Sequence, residues 1–238
     1  MTSWTSSSSS SASGVHTVLT LFGFGSPDRP PGWPEATAQV TLAAGNTVRL
    51  RPLRSSDGRD WSRYRLADER WLKPVEPTVP STWAAAHTPA AWRATYANLR
   101  GLAGDGAVVP LAIEVDGRFA GQVTLGNIQH GSVGECWIGY WVHSAFMGRG
   151  VATAACALGT DHAFGRVGMH RVTATYLPSN PASGRVLTSC GYRAEGYMRE
   201  NLHIDGRWRD HHFVALNVDD YATTAVERLK SAGKIRRA

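Results

Sequence analysis

A glycine-rich turn between an apolar segment and an alanine-rich segment constrains the fold of this chain more than any other feature. Residues 136–142 are apolar on both alternating faces, as in a central β-strand. The turn Met147-Gly148-Arg149-Gly150 follows, and residues 151–164 are rich in alanine with an apolar stripe at helical spacing. Strand, turn and helix in this order leave backbone N–H groups facing an anion. The sequence predicts a phosphate site at residues 148–153, and the alternative is a tight turn without a ligand.

The kind of phosphate ligand is limited by what the turn lacks. It has neither the Lys-Ser/Thr of a nucleotide P-loop nor the G-x-G-x-x-G and distant acid of a dinucleotide fold. ATP and NAD are therefore poorly supported.

Helices and strands are predicted on both sides of this unit from hydrophobic periodicity, capping residues and turn pairs. Two Asp-Gly pairs, Asp116-Gly117 and Asp205-Gly206, predict hairpins. The predicted elements are a strand from Val48 to Pro52, a helix from Ser56 or Asp57 to about Leu72, a helix capped by Thr88, strands at 111–115, 118–125, 136–142 and 171–176, a short helix at 180–190, a hairpin at 192–217 and a last helix capped by Asp219.

Composition predicts one globular domain with two extensions. Residues 1–45 contain six consecutive serines and a Pro/Gly cluster, and we expect a largely irregular extension with room for one short strand. Residues 46–218 form the predicted domain, and residues 219–238 form a helix and a basic tail. Three cysteines without C-x-x-C spacing favour neither disulfides nor zinc, and no membrane span or secretory signal is recognisable. We expect a cytoplasmic protein, and its net charge of +6 favours anionic partners such as RNA, a ribosome or a phosphorylated cofactor.

The order of elements over Thr47 to Asn217 resembles the GNAT acyltransferases. Their turn signature, Q/R-x-x-G-x-G/A, falls on Met147 to Ala152, matches at Gly150 and Ala152, and departs at Met147. Arg149 is the candidate replacement for the missing polar contact. The resemblance implies an α+β (α/β) fold with a mixed, mostly antiparallel central sheet and flanking helices, splayed between the fourth and fifth core strands.

Within that superfamily the chain resembles the RimJ/RimL-type ribosomal-protein-alanine N-acetyltransferases. This resemblance implies acetyl-CoA as co-substrate and the N-terminal amine of a protein as acceptor, with a ribosomal protein as the candidate. We expect no metal, and ribosome association and a monomeric or homodimeric state are hypotheses. Small-molecule amine acetylation and a non-catalytic RNA- or ribosome-binding module stay open as alternatives. The carrying segments are Trp137-Ile138-Gly139-Tyr140-Trp141-Val142, Asn180-Pro181-Ala182-Ser183, Cys190-Gly191-Tyr192, Glu195-Gly196-Tyr197 and Ile204-Asp205-Gly206-Arg207-Trp208-Arg209-Asp210-His211.

The resemblance also implies roles for individual residues. Backbone groups near Trp141 and Val142 would hold the pantetheine arm and polarise the thioester carbonyl. Asn180 and Ser183 would contact the arm and the departing sulfur, with Ser183 donating to the thiolate, although helix capping alone is the alternative for this pair. The pyrophosphate would be bound by Met147, Gly148, Arg149, Gly150, Val151, Ala152 and Thr153.

The general base is not evident from the sequence. Many relatives carry a Glu on the central strand, where this chain has Trp137, and a second acidic position is Leu202. Glu135 and Glu200 lie two residues away and are the candidate substitutes, with solvated edge carboxylates as the alternative. A strong base is less necessary for an α-amine, since its pKa of about 7.7–8.0 makes deprotonation roughly 3 kcal/mol cheaper than for lysine.

Three further groups of residues are given roles from the sequence. His211 and His212 are expected to be structural, because adjacent strand residues point to opposite faces and do not share a metal easily. The three cysteines lie in apolar segments and are expected in the core. Glu76 and Trp83, in a Pro-rich loop, are candidates for the acceptor entrance.

Overall fold

The computed structural model describes residues 30–237 of the 238-residue chain and consists of one sheet with helices on both faces. The strands are β1 (Val40–Leu42), β2 (Thr47–Pro52), β3 (Val108–Val115), β4 (Arg118–Gln129), β5 (Glu135–Val142), β6 (Arg171–Tyr176), β7 (Arg193–Ile204), β8 (Arg207–Asn217) and β9 (Ile235–Arg237). The helices are α1 (Gly58–Ala67), α2 (Glu69–Leu72), α3 (Trp83–Ala86), α4 (Pro89–Gly104), α5 (Val151–His162), α6 (Pro181–Ser189) and α7 (Ala225–Ser231).

The sheet is mixed and mostly antiparallel. Its strand order is β7-β8-β6-β5-β4-β3-β2-β1-β9. Within the described chain, β5 and β6 are the one parallel pair, because α5 carries the chain back across the sheet between them. The fold class predicted from the sequence is confirmed.

The strands β5 and β6, which are the fourth and fifth strands of the predicted domain when counted from β2, separate along their length. They pair only at their beginnings, from Glu135 opposite Arg171 to Trp137 opposite Thr173. Beyond Trp137, β5 continues to pair with β4, whereas β6 continues to pair with β8 as far as Tyr176 opposite His212. The predicted splay is therefore confirmed, and it opens a gap in the middle of the sheet.

The two faces of the sheet carry different cores. On one face α5 packs closely, and a Cβ built on Gly159 would lie 3.0 Å from Ile138 of β5. The other face is covered by the helices from α1 to α4 and holds a tryptophan-rich cluster that includes Trp141. Because side chains alternate along β5, Ile138 and Trp141 point to opposite faces. The gap between β5 and β6 connects these two sides.

Two helix boundaries differ from the sequence predictions. The helix expected to run to Leu72 is interrupted at Asp68, whose carboxylate accepts hydrogen bonds from the segment after β5. The predicted cap Asp219 is wrong, because it lies in a 3₁₀ turn and α7 begins later. Thr224 caps α7 instead, accepting from the Glu227 amide while the Glu227 carboxylate accepts from the Thr224 amide.

The described ends of the chain meet at one edge of the sheet. β1, from the predicted N-terminal extension, pairs with β2 on one side and with β9 on the other. Val40 and Leu42 of β1 are buried in the main core. Residues 1–29, which include the serine run, lie outside the described residues. No helix in the described part of the chain is long and apolar enough to cross a membrane.

Candidate active site

The glycine-rich turn before α5 leaves its backbone open. Gly148 and Gly150 have φ values of +73° and +84°, in the left-handed region that favours glycine. A Cβ built on Gly148 would meet nothing within 4 Å, and one built on Gly150 would meet only Leu42 Cδ2 at 4.0 Å. The turn is exposed from Met147 to Gly150. Backbone here is therefore accessible to a ligand that approaches within hydrogen-bonding distance.

The amides of this turn and of the first turn of α5 are available as donors. Among residues 30–237, the N–H groups from Gly148 to Thr153 make no hydrogen bond to backbone outside the helix. No side chain caps the helix at Gly150. The first amides of a helix have no intrahelical partner, and they carry the positive end of the helix dipole. The arrangement is suited to a phosphate or pyrophosphate, as the sequence predicts.

A buried carboxylate holds the segment between β5 and this turn. Asp68 accepts hydrogen bonds from His143 Nδ1 at 2.6 Å and from the Ser144 amide at 2.7 Å. The His143 ring stacks on Tyr64 of α1, with ring centroids 3.8 Å apart. Burial alone would raise the pKa of Asp68, but the bonds from Ser144 and His143 hold it below its usual value. The ionised Asp68 therefore fixes where the turn begins.

Two hydroxyls meet on the α5 side of the gap between β5 and β6. Tyr140 OH lies 3.0 Å from Ser183 Oγ and donates to the Ser183 carbonyl at 3.3 Å. These contacts join β5 to α6 across the gap. Burial raises the pKa of Tyr140 well above its usual value, so the phenol stays protonated. Asn180 is the N-cap of α6, with its side-chain oxygen 3.3 Å from the Ser183 amide. Capping is thus observed, and the Ser183 hydroxyl remains directed at Tyr140.

Trp141 and Val142 lie where β5 has left β6. Both side chains are buried, and in the described chain no strand pairs with this part of β5 on the side of the gap. Alternate residues of a strand direct their N–H and C=O groups to opposite sides. Part of the main chain here therefore faces the gap, where an extended ligand can bind to it.

On the face of the sheet opposite α5, aromatic rings around one arginine form a wall beside the gap. Arg65 of α1 lies over the rings of Trp61 and Trp141, with Cζ 5.3 and 4.6 Å from the ring centroids. Its Nη1 pairs with the Glu76 carboxylate and lies 3.4 Å from His87 Nε2. Two donors in this wall, Arg65 Nε and Trp141 Nε1, are buried without an acceptor among the described residues. An oxygen from water or substrate would satisfy them.

His87 supports this wall from behind. Its Nδ1 lies 2.7 Å from the Trp83 carbonyl, and burial lowers the pKa of its imidazole. The ring is therefore neutral near pH 7 and accepts from Arg65 at Nε2. Trp83 is itself buried, and its Nε1 donates to the Arg65 carbonyl at 2.8 Å. Trp83 thus belongs to the wall and does not line an entrance, whereas Glu76 is partly exposed.

The Pro-rich loop at residues 73–82 is fastened to the β7–β8 hairpin. Pro77 forms an isolated bridge with Ile204, and the Thr78 amide donates to the His203 carbonyl at 2.9 Å. The Gly206 amide in turn donates to Thr78 Oγ1 at 2.9 Å. These bonds keep Glu76 beside the hairpin, and Glu76 joins the loop to Arg65 on the face of the sheet that carries Trp141.

An indole fills the position where many relatives carry a Glu. Trp137 lies over Gly126 of β4, and a Cβ built on that glycine would come within 2.2 Å of the ring. A Cβ on Gly139 would lie 3.3 Å from the same ring. Trp137 is nevertheless 43% exposed. It forms an apolar floor on the same face as Trp141 and supplies no base.

The two candidate carboxylates lie away from the gap. Glu135 stands at the closed end of β5, where its carboxylate pairs with Arg171 at 3.0 Å. Glu200 is exposed in a bulge of β7, where its amide donates to Asp210 at 2.8 Å. The predicted catalytic role of both residues stays a prediction, since Glu135 is engaged by Arg171 and Glu200 lies on β7, which β8 and β6 separate from the gap.

The adjacent histidines point to opposite faces, as their strand position requires. His212 packs against the rings of Tyr176 and Tyr197, with centroid distances of 4.9 and 5.2 Å. His211 is 3% exposed, and its Nδ1 lies 3.0 Å from the Arg209 carbonyl. Among the described residues no cluster of three or more His, Cys, Asp or Glu side chains is arranged to hold a metal.

The cysteines are core residues. All three are buried, and burial raises the pKa of the Cys136 thiol to about 12. A thiol of this kind is a poor nucleophile near neutral pH.

Sequence reasoning missed Tyr140, Arg65 and the pair of Asp68 with His143. Tyr140 lies inside a segment that the sequence singled out, and its position on the face of Ile138 follows from strand alternation. Asp68 and His143 are 75 residues apart and carry no local signal of their contact. Only the tertiary fold brings such pairs together.

Comparison with known proteins agrees with this site. Residues 47–193 match the family described as "Acetyltransferase (GNAT) domain". Among solved structures, RimJ of Mycobacterium smegmatis in complex with CoA-disulfide has a TM-score of 0.86 and 42% sequence identity. That similarity covers 88% of this chain and 100% of the other.

Two curated bacterial proteins are also similar. The [Ribosomal protein uS5]-alanine N-acetyltransferase of Escherichia coli is 28% identical over 169 residues, which cover 68% of this chain and 86% of that protein. The probable N-acetyltransferase YjcK of Bacillus subtilis is 41% identical over 106 residues, covering 44% of this chain and 59% of the relative. This chain thus spans about three fifths of the length of the second relative.

Proposed function

This chain belongs to the GNAT acetyltransferase family and is an acetyl-CoA-dependent N-acetyltransferase of RimJ/RimL type, and we propose that its acceptor is the N-terminal α-amine of a ribosomal protein. The observation that carries acetyl-CoA binding is the row of open amides before α5, placed next to the gap between β5 and β6, and the similarity to the alanine N-acetyltransferase of Escherichia coli supports the acceptor. One end of that gap accepts a diphosphate, and its middle reaches the aromatic face. The reaction would take place in the cytoplasm, where ribosomal proteins are made.

The residues of the turn fit the diphosphate of acetyl-CoA. Gly148 and Gly150 admit it to the backbone, and the amides as far as Thr153 donate to its oxygens. Met147 stands where the family signature has Gln or Arg, and the exposed Arg149 supplies the polar contact instead. The exposed edge of β5 at Trp141 and Val142 binds the pantetheine arm and polarises the thioester carbonyl.

Direct transfer needs a donor for the departing thiolate. The amine nitrogen forms the new C–N bond, the C–S bond breaks, and the sulfur accepts a proton or hydrogen bond. The Ser183 hydroxyl, held by the protonated Tyr140 at 3.0 Å, is positioned for this task. No covalent enzyme intermediate is required.

The acceptor side favours an α-amine over a lysine amine. Trp137 provides an apolar floor at the position where the family resemblance implies a Glu. Among the described residues, the candidate carboxylates Glu135 and Glu200 make their contacts elsewhere. A weakly basic amine, which is partly neutral near pH 7, needs less help with its proton. The buried donors Arg65 Nε and Trp141 Nε1 suit a peptide carbonyl next to such an amine.

A peptide acetylation assay tests the proposal. The full-length protein is incubated with acetyl-CoA and a library of peptides that differ in their first residues, together with a panel of polyamines and small amines. We expect mass spectrometry to find acetyl on the α-amine of peptides that begin with alanine or serine.

Matched peptides with a blocked N-terminus and an internal lysine are the control, and they should stay unmodified. Transfer to small amines alone would replace the proposed acceptor by a small-molecule one. Absence of all transfer, with strongly salt-dependent RNA binding, would support the non-catalytic alternative.

A further inference from the structure

We infer that His211 is the catalytic base that accepts the proton of the attacking amine, an inference that rests on the proposed function. The sequence gives this residue a structural role only. Its place in the sheet, its anchored ring and its second nitrogen carry the inference.

The register of the sheet places His211 beside the gap. Tyr140 and Tyr176 each lie three residues beyond the last β5–β6 pair, Trp137 with Thr173, and Tyr176 pairs with His212 of β8. These residues are therefore level with one another across the sheet. The next level contains Trp141 of β5 and His211 of β8.

The face of the sheet is also the right one. Val172 of β6 pairs with Cys136 on one side and with Leu216 on the other, all on the face of α5, and His212 continues that face. His211 therefore points to the opposite face, together with Trp137 and Trp141. This is the face where the Arg65 wall and the 73–82 loop lie. The acceptor amine approaches from here, whereas Ser183 stands on the face of α6.

The ring of His211 is oriented as a base requires. Nδ1 lies 3.0 Å from the Arg209 carbonyl, which can only accept, so Nδ1 carries the hydrogen. Nε2 then carries a lone pair. Within the described chain Nε2 has no hydrogen-bond partner. The polar atoms that lack both a partner and contact with solvent are Arg65 Nε and Trp141 Nε1, so Nε2 keeps some access to solvent. A substrate proton, directly or through one water, can reach it.

The surroundings keep the imidazole neutral. Burial lowers the pKa of His211, and the bond to the Arg209 carbonyl opposes this only in part. The nearby charged groups on its own strand are Arg209 and Asp210, and Met198 stands opposite on β7. The 73–82 loop carries two charged groups, Glu76, which is paired with Arg65, and Lys73, which is paired with Glu69. A neutral base is thus available throughout the range near pH 7.

The proposed step balances without another reactant. The amine nitrogen uses its lone pair to form the C–N bond, and its proton moves to His211 Nε2 as the tetrahedral species forms. Collapse of that species breaks the C–S bond, and the thiolate accepts a hydrogen bond from Ser183 and takes its proton from solvent. His211 afterwards releases its proton to solvent.

The substitution His211→Asn tests the inference, because the asparagine amide can still donate to the Arg209 carbonyl from the position of Nδ1. We expect kcat with an accepted N-terminal peptide to fall about 100-fold, the usual scale for loss of a general base. The affinity for acetyl-CoA, measured by calorimetry, and the thermal midpoint should stay close to wild type. His212→Asn is the matched control, and we expect it to retain most of the activity. His211→Gln provides a second variant if the first folds poorly.

The pH profile separates a chemical role from a structural one. On the acidic side, kcat/KM of the wild type should fall with a slope of about two, since both the amine and the imidazole take up protons. For His211→Asn the slope should be about one. Equal slopes, or a kcat within about threefold of His212→Asn, would overturn the inference. If the wild type acetylates only a small amine, the proposed acceptor fails, and the same two variants compared on that amine still test His211.

Discussion

The two sides of the central gap offer a ligand different kinds of group. On the α5 side these groups are backbone amides, exposed by two glycines and aligned by one helix. On the acceptor side they are side chains, and Arg65 of α1 holds together Trp141 of β5, Glu76 of the 73–82 loop and His87. A backbone site depends on the local conformation of a few consecutive residues, whereas a side-chain site depends on the whole fold. Substitutions should therefore affect the two sides separately.

The largest expected effect comes from Gly150→Val, which should affect the backbone side alone. Valine at a φ of +84° is strained, and its side chain occupies the space through which a diphosphate reaches the amides. We expect affinity for acetyl-CoA to fall by about 100-fold or more, as measured by calorimetry. Gly131→Val is the matched control, since Gly131 has a φ of +75° with nothing within 4 Å of its Cβ position. Retained affinity in Gly150→Val would show that the turn does not bind the cofactor.

Arg65→Gln should have a somewhat smaller effect, on the acceptor side alone. It leaves the Glu76 carboxylate without its partner in a mostly buried site, and we expect unfolding to become easier by about 2 kcal/mol. The KM for the peptide should rise, while affinity for acetyl-CoA stays unchanged.

Arg63→Gln is the matched control for this variant, because its pair with Asp60 is exposed and should contribute almost nothing. Denaturant melts measure the stability, and kinetics measure the two substrates separately. A parallel loss of acetyl-CoA affinity in Arg65→Gln would mean that the two sides are coupled.

The smallest expected effect lies where the two sides meet. Ser183→Ala removes the hydroxyl that Tyr140 holds, and we expect kcat to fall about tenfold, equivalent to one hydrogen bond in the transition state. Asn180 still caps α6, so stability should hardly change. Ser189→Ala, at the other end of α6, serves as the control. An unchanged kcat in Ser183→Ala would leave Ser183 as a structural residue of the helix.

This difference between the sides also explains what the sequence could foretell. The turn from Met147 to Gly150 and its helix are adjacent in the chain, so their pattern sufficed to predict an open row of amides. The splay and the mixed, mostly antiparallel character of the sheet followed from the family resemblance. The Asn180 cap followed from local chemistry, and the structure shows it.

The acceptor side could not be foretold in the same way. The bond between Asp68 and His143 and the packing of Arg65 on Trp141 join distant segments. A carboxylate that breaks a helix to reach another strand looks, in sequence, like any polar residue within that helix. For the same reason the sequence indicated that His211 and His212 face opposite ways without indicating which of them faces the gap.

The pairing of β1 with β9 has a consequence for biosynthesis. Leu42 of β1 is 4.0 Å from the position of a Cβ built on Gly150, and β9 pairs with the outer side of β1. On the ribosome, that side of β1 would therefore stay unpaired until residues 235–237 emerge from the exit tunnel. The strand next to Leu42 would gain its second neighbour only after every element from β2 to α7 has emerged.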